Sequence, residues 1–187
     1  AQGVRFADGN SAAVSIEKSG EKASDFYLVN GSPDIAQLPP EIPARTQGRF
    51  LAKPVRLLNG RHFGKNRGFG AVHIEAEHGA EIKGDDPLKA ARYVVNLVRN
   101  SSRIYDDGSG RLILQNTGAD KGIAFVELRD DGDFYSVVTA FNGSPRGKLV
   151  WSGRSLHLSS VGSGDIASKA MTATTGQSDS PSARTEQ

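Results

Sequence analysis

The sequence predicts an α+β fold, in which N-terminal helices pack on one face of a four- to five-stranded antiparallel sheet. Segments with helical periodicity lie before Asn100, and segments with the two-residue periodicity of strands lie after it. Two hairpin turn signals, Asp106-Asp-Gly-Ser-Gly110 and Asp130-Asp-Gly-Asp133, separate the later segments. Strands joined by such short turns pair antiparallel, so we expect a meander.

Composition divides the chain into three parts. We predict an extended or partly disordered segment at residues 1–44, where the prolines at 39, 40 and 43 interrupt regular structure. The predicted folded domain covers residues 45–160 and carries the periodic segments. Residues 161–187 are rich in Ser, Thr, Ala and Gln with almost no large apolar side chain. Such a segment buries too little surface to offset its ordering entropy, so we predict a disordered tail.

Two helices are predicted before the strands. The first covers Phe69 to His78 and stops before Gly79, with an apolar stripe at Phe69, Val72, Ala76 and Ala80. The second begins with Asp86 as N-cap and Pro87 at the first helical position. Its core face is predicted to hold Leu88, Ala91, Val94, Val95 and Val98.

The strands follow from alternating patterns of suitable length. They are predicted at residues 103–105, 111–115, 123–129 and 134–141. Residues 149–151 are predicted to add an edge strand, and residues 156–158 are a further candidate.

Charge is distributed unevenly along this chain. No acidic residue occurs between Glu41 and Glu75, whereas seven basic residues fall in that gap: Arg45, Arg49, Lys53, Arg56, Arg61, Lys65 and Arg67. From Arg45 to His157 there are 18 Lys and Arg against 12 Asp and Glu. This excess favours an anionic partner, although it is also compatible with a role in solubility alone.

Several classes of protein are excluded or disfavoured by composition. The chain has no cysteine, which excludes disulfides, thiolate metal sites and a cysteine nucleophile. No segment reaches the roughly 18 apolar residues of a membrane span, so we expect no membrane partner. Gly68-Phe-Gly70 does not match a Walker or Rossmann pattern, so we expect no nucleotide cofactor.

His73 and His78 are the candidates for acid–base catalysis, because an imidazole titrates near neutral pH. The alternative is that His73 is a half-buried helix residue bonded to a carbonyl and that His78 stabilises the helix C-terminus. The two lie five residues apart, about 140° around a helix, rather than at the four-residue step of a His-Glu-x-x-His zinc motif. Glu77 does stand four residues after His73, but a lone pair of histidine and carboxylate does not make a site, so we expect no metal site.

Other candidate residues would contact the substrate. Lys65 and Arg67 flank a glycine-rich loop that leads into the first helix, where free N–H groups and the helix dipole suit a phosphate. Asn142 and Arg146 follow the last long strand in a loop from which they can reach phosphates. Thr139 lies on that strand, where its hydroxyl is a candidate donor, although β-propensity alone also explains a threonine there.

The order of these motifs resembles that of phage-associated members of the barnase–EndoU–colicin–RelE nuclease superfamily. The resemblance rests on Gly68-Phe-Gly-x-x-His73-Ile-x-x-x-His78, a following helix, and a meander ending in Val138-Thr139-Ala140-Phe141. It spans roughly Arg49 to Trp151. The resemblance implies a small α+β fold and RNA cleavage without a metal or cofactor.

Residue roles follow from the same resemblance. His73 and His78 resemble the two histidines of the family motif, and Thr139 resembles the hydroxyl residue on its late strand. Several members also use a carboxylate base from the sheet. Glu127 is the only carboxylate inside a predicted strand here, which leaves the identity of the base open. The resemblance further implies toxin modules or phage polyprotein segments, action in a cytoplasm after delivery by phage or secretion, and an immunity or antitoxin partner.

These observations lead to one hypothesis and one rival. The hypothesis is a metal-independent endoribonuclease, with tRNA among its candidate targets, that forms a 2′,3′-cyclic phosphate by transesterification. His73 would act as base and His78 as acid, while Lys65, Arg67 or Arg146 would stabilise phosphate charge. The rival is a non-catalytic RNA- or protein-binding segment of a phage or mobile-element polyprotein with a degenerate nuclease fold.

Overall fold

The computed structural model describes residues 14–129 and 131–156, together with the backbone of Gln2–Val4. Three short α-helices occur in this part of the chain: α1 Ile42–Arg45, α2 Gly70–His78 and α3 Lys89–Arg99. The strands are β1 Gln2–Val4, β2 Val14–Lys18, β3 Tyr27–Val29, β4 Ala36–Gln37, β5 Pro54–Arg56, β6 Arg61–Gly64, β7 Arg67–Phe69, β8 Arg103–Asp106, β9 Leu112–Asn116, β10 Gly122–Leu128, β11 Tyr135–Phe141 and β12 Lys148–Ser152.

The main sheet has seven strands in the order β12-β8-β9-β10-β11-β5-β4. Its pairings are antiparallel except for the parallel contact between β11 and β5. A second sheet has the order β1-β2-β3, and β6 pairs with β7 as a separate hairpin. β5 pairs with β11 at Tyr135 and Ser136, and α2 also packs against β11.

The predicted fold class is wrong. The main sheet is larger than four or five strands and is mixed rather than antiparallel, and the helices do not form an N-terminal layer on it. Two of its strands, β4 and β5, come from the chain before α2 and α3. They contain two and three residues, too few for a periodic signal, and their place depends on neighbours. Val55, for example, is fully buried and pairs with both Ala36 and Tyr135.

The later strands and the second helix match the sequence patterns. The predicted meander is present as β8, β9, β10 and β11, and the predicted edge strand is β12, which pairs with β8. Helix α3 packs against β9 and β10 with the face that holds Ala91, Val94, Val95 and Val98. The predicted start of this helix is wrong: α3 begins at Lys89 with Leu88 at the N-cap position, and Asp86 lies in the preceding turn, where its carboxylate accepts the Leu88 amide at 2.9 Å.

The core includes much of the N-terminal segment. From residue 14 onward, this segment contains β2, β3, β4 and α1. It supplies buried apolar side chains at Val14, Ile16, Tyr27, Val29, Ile35, Ala36, Leu38 and Ile42. The predicted tail at residues 161–187 and two positions of the candidate strand at 156–158 lie outside the described residues.

Helix α2 occupies the predicted residues but buries a different face. Ala71 and Ile74 enter the core, whereas Val72 is 48% exposed. The predicted stripe through Val72 and Ala76 is therefore wrong for this helix. Apolar residues are spread around α2, so the packing of the sheet and hairpin decides which face is buried. In the described part of the chain, no helix has the length and apolar character needed to cross a membrane.

Candidate functional site

The β6–β7 hairpin lies against α2 and presents a cationic surface. Arg61, Lys65 and Arg67 are exposed on it, and Phe63 is 60% exposed. In its register, His62 is opposite Gly68 and Gly64 is opposite Arg67. The hairpin thus carries three cations and an accessible aromatic ring within seven residues.

The start of α2 is held by backbone contacts rather than left open. The amides of Ala71 and Val72 donate to the carbonyls of Leu58 and Asn59 at 3.0 and 2.8 Å. This approach requires Gly70, whose φ is +79° and whose Cα would carry a Cβ 2.6 Å from the Leu58 oxygen. These two N–H groups are already bonded, so the predicted phosphate cradle at the helix N-terminus lacks them.

Two histidines meet where the hairpin crosses α2. The Nδ1 atoms of His62 and His73 are 3.2 Å apart, and the two rings stack with centroids separated by 5.4 Å. His73 is only 4% exposed, whereas the His62 side chain retains 31% of its accessible surface. Gly68 makes room for the inner ring, since a Cβ at that position would lie 2.8 Å from His73 Nδ1.

Glu77 completes this group from the next turn of α2. Its Oε1 lies 4.0 Å from His62 Nδ1 and accepts the Asn66 amide of the hairpin turn at 2.7 Å. That hydrogen bond joins the hairpin to the helix and orients the carboxylate. Within the described residues, His62, His73 and Glu77 are the one group of three potential metal ligands whose ligand atoms all lie within 4.8 Å of one another.

Burial favours the neutral form of the inner histidine. It lowers the pKa of His73 below its ordinary value; Glu77 opposes this effect, and His62 and His78 reinforce it. In a neutral pair, one Nδ1 donates the shared hydrogen bond and the other accepts it. The two rings are then opposite tautomers, so one Nε2 has a free lone pair and the other carries a proton. The arrangement can accept a proton at one ring and relay it to the other.

His78 lies in a different environment. Its ring stacks on Phe141 with a centroid separation of 4.8 Å, and its buried Nδ1 has no hydrogen-bond partner. It lines a cavity of about 270 Å³ together with Phe141, Tyr93 and Asn142. No hydrogen bond or ring contact between His78 and His73 is found among the described residues.

The other predicted residues divide between these two places. Lys65 and Arg67 share the hairpin with His62, and Asn142 shares the cavity with His78. Arg146 is exposed beyond β11. Thr139 pairs across the sheet with Phe125, and its buried hydroxyl has no hydrogen-bond partner. Glu127, the candidate sheet carboxylate, is engaged with Arg111 at 2.9 Å.

The sequence interpretation missed His62 and the role of Glu77. A usable signal was present in Gly64-Lys-Asn-Arg-Gly68, which is a suitable turn for a short hairpin. Regular pairing about that turn would put Phe63 opposite Gly68; an irregularity between His62 and Gly64 instead places His62 there, in front of the helix that carries His73. Without the register, the two histidines are merely eleven residues apart in sequence.

Comparisons with known proteins do not assign the site. No protein-family model matches the chain, and neither a curated protein nor a solved structure matches it. The resemblance to the barnase–EndoU–colicin–RelE superfamily therefore stays a prediction.

Proposed function

We propose that this chain is a metal-independent endoribonuclease that cleaves RNA by transesterification. The observation that carries the proposal is the 3.2 Å contact between the ring nitrogens of His62 and His73 beside an exposed cationic hairpin. Two imidazoles in direct contact supply a proton acceptor and a relay near neutral pH. The cations next to them suit a phosphodiester.

In this proposal His62 is the catalytic base, because its ring is accessible and that of His73 is not. The Nε2 of His62 takes the proton of a ribose 2′-hydroxyl while its Nδ1–H donates to His73. The Glu77 carboxylate, 4.0 Å away, stabilises the imidazolium that forms. His73 is then a positioning residue that sets the tautomer of His62.

The 2′-oxygen forms a bond to the adjacent phosphorus, and the bond from phosphorus to the 5′-oxygen breaks. The products are a 2′,3′-cyclic phosphate and a 5′-hydroxyl, whose proton comes from solvent. Lys65 and Arg67 offset the charge that develops on the non-bridging oxygens. DNA has no 2′-hydroxyl and should remain intact.

The test is incubation of the full chain with total RNA and, separately, with DNA in excess EDTA. We expect RNA fragments with cyclic phosphate ends and intact DNA. His62→Gln should lower the cleavage rate by about 10²–10⁴-fold, the usual contribution of acid–base catalysis. His157→Gln removes a histidine elsewhere in the sequence and serves as the matched control. Undiminished cleavage by the His62 variant would overturn the assignment.

One observation favours a second candidate, a non-catalytic RNA-binding module. Phe63 is 60% exposed beside Arg61 and Lys65, and an exposed ring among cations suits stacking with an unpaired base. In that case the same incubation would leave the RNA intact but bound, with an affinity that falls as salt rises.

A further inference from the structure

We propose that His62, His73 and Glu77 bind one divalent transition-metal ion of the Zn²⁺ type, and that this ion blocks the base function of His62. The binding is independent of the proposed function. The inhibition rests on the proposed nuclease function.

The separation of the two ring nitrogens matches a shared ion. In a tetrahedral site with Zn–N bonds of about 2.0–2.1 Å, the two nitrogens are about 3.3–3.4 Å apart. His62 Nδ1 and His73 Nδ1 are 3.2 Å apart. An ion bound to both nitrogens lies beside the line that joins them, so the distance already fits and each ring has to turn its Nδ1 toward the ion.

Glu77 is positioned to become the third ligand. It follows His73 by four residues on α2, so both side chains project from the same side of the helix. Its Oε1 is 4.0 Å from His62 Nδ1, about 0.7 Å beyond the tetrahedral spacing, and the three ligand atoms all lie within 4.8 Å of one another. The Asn66 amide already orients the carboxylate toward the hairpin, as groups beyond the ligands do in metal sites.

The donor set indicates the class of ion. Two imidazoles and one carboxylate suit Zn²⁺ and its neighbours rather than Mg²⁺ or Ca²⁺, which prefer oxygen ligands. Three protein ligands leave a fourth position for water. From sequence, the pair of His73 and His78 has the wrong spacing and the pair of His73 and Glu77 alone is too few ligands. The structure adds His62 from the hairpin as the missing ligand.

Binding at Nδ1 changes what His62 offers to RNA. A neutral imidazole that ligates through Nδ1 carries its proton on Nε2. The accessible nitrogen then donates a hydrogen bond instead of accepting the proton of a 2′-hydroxyl. As the ion enters, His62 loses its Nδ1 proton to solvent and takes one up at Nε2, so the neutral pair releases no net proton. The ion thus removes the base without displacing any of the hairpin cations.

The binding test uses the full chain after treatment with EDTA and dialysis. Co²⁺, a spectroscopic substitute for Zn²⁺, is titrated while visible absorption is followed, and Zn²⁺ is titrated by calorimetry. We expect one ion per chain. Loss of an outer partner of a metal ligand already costs 10–100-fold in affinity, so His62→Ala should cost at least about a hundredfold. Glu77→Gln, the second variant, removes the third ligand and should also weaken binding of the ion. His78→Ala, on the same helix, is the control and should bind the ion as the unaltered chain does.

The activity test separates the two proposals. Zn²⁺ at a concentration that saturates the site should suppress RNA cleavage, and EDTA should restore it. Binding without cleavage under any condition would overturn the nuclease and leave the metal site standing. Cleavage in EDTA without metal binding would overturn the metal site and leave the nuclease standing. Zn²⁺ binding that His62→Ala leaves unchanged would disprove this site, and stimulation of cleavage by Zn²⁺ would disprove its inhibitory role.

Discussion

At the scale of single residues, the glycines before α2 explain the spacing of the histidine motif. Gly68 has a φ of +145°, and a Cβ there would lie 2.3 Å from the Arg61 carbonyl oxygen as well as against His73. Only glycine lets the hairpin lie this close to the inner imidazole. The short pattern Gly68-Phe-Gly-x-x-His73 is therefore a packing requirement, whatever the chemistry of the site.

We expect Gly68→Ala to separate the hairpin from His73. Gly64→Ala is the matched control, because Gly64 has a similar φ of +141° but no atom within 4 Å of an added Cβ. Both variants should lose roughly 1–3 kcal/mol to backbone strain. Gly68→Ala should lose at least about 1 kcal/mol more through overpacking. Chemical denaturation measures the difference, and equal losses would show that neither the Arg61 carbonyl nor His73 restricts this position.

At the scale of elements, the β6–β7 hairpin and α2 act as one unit. The hairpin brings His62 and the cations, and the helix brings His73 and Glu77. The contacts that tie them together include the ring contact between the histidines and the hydrogen bond from the Asn66 amide to Glu77. The helix in turn packs beside β11 through its buried face.

The hairpin cations should determine RNA affinity. Lys65→Ala and Arg67→Ala should each weaken binding and reduce the slope of log K against log salt by about 1, because each removes about one phosphate contact. Arg129→Ala, at an exposed position in the turn after β10, is the control for loss of charge alone. Binding is measured with a single-stranded RNA over a range of salt. If the control reduced the slope equally, the charge effect would be a property of the whole surface.

The buried face of α2 can be tested with two aliphatic residues. Ile74 is fully buried, whereas Val72, two residues earlier, is 48% exposed. Ile74→Ala should cost about 2–5 kcal/mol in unfolding free energy through cavity formation. Val72→Ala should change it by no more than about 0.5 kcal/mol. The reverse ranking in denaturation experiments would mean that the helix packs through the stripe that its sequence predicts.

At the scale of the whole molecule, one buried tyrosine links distant parts of the chain. Tyr135 on β11 donates its hydroxyl to the Leu51 carbonyl at 2.9 Å and accepts the Leu51 amide at 3.0 Å. It also lies in the parallel pairing with Val55. Burial raises its pKa to about 12, and the hydrogen bond with Leu51 lowers it to a smaller extent.

Stability should therefore decrease at high pH. The folded pKa of Tyr135 is raised above the ordinary value near 10, so its contribution is complete below pH 10 and is lost as the pH rises through 12. A shift of this size corresponds to a loss on the order of 2 kcal/mol. Denaturation at pH 9 to 12 measures it. Tyr135→Phe should be less stable at pH 9 but should lose less on the way to pH 12; a parallel decline would assign the effect to other groups.

Parts of the fold and of the site were open to prediction from sequence, for different reasons. The alternation in β9, β10 and β11 and the amphipathic pattern of α3 are local and long enough to be recognised. Lys65, Arg67 and His73 stood out because of the acid-free segment around them. By contrast, nothing local placed β4 and β5 in the main sheet or selected the buried face of α2.

The sequence by itself determined the later strands, the second helix, the absence of cysteine chemistry and the cationic character of the segment before α2. Only the tertiary structure decided the size and mixed topology of the sheet and the partner of His73. The reason is that short strands and scattered apolar residues are compatible with several local structures almost equally well. Long-range packing then decides which of these structures forms. The register of the β6–β7 hairpin places His62 beside His73, and Glu77 lies near both, one helical turn after His73.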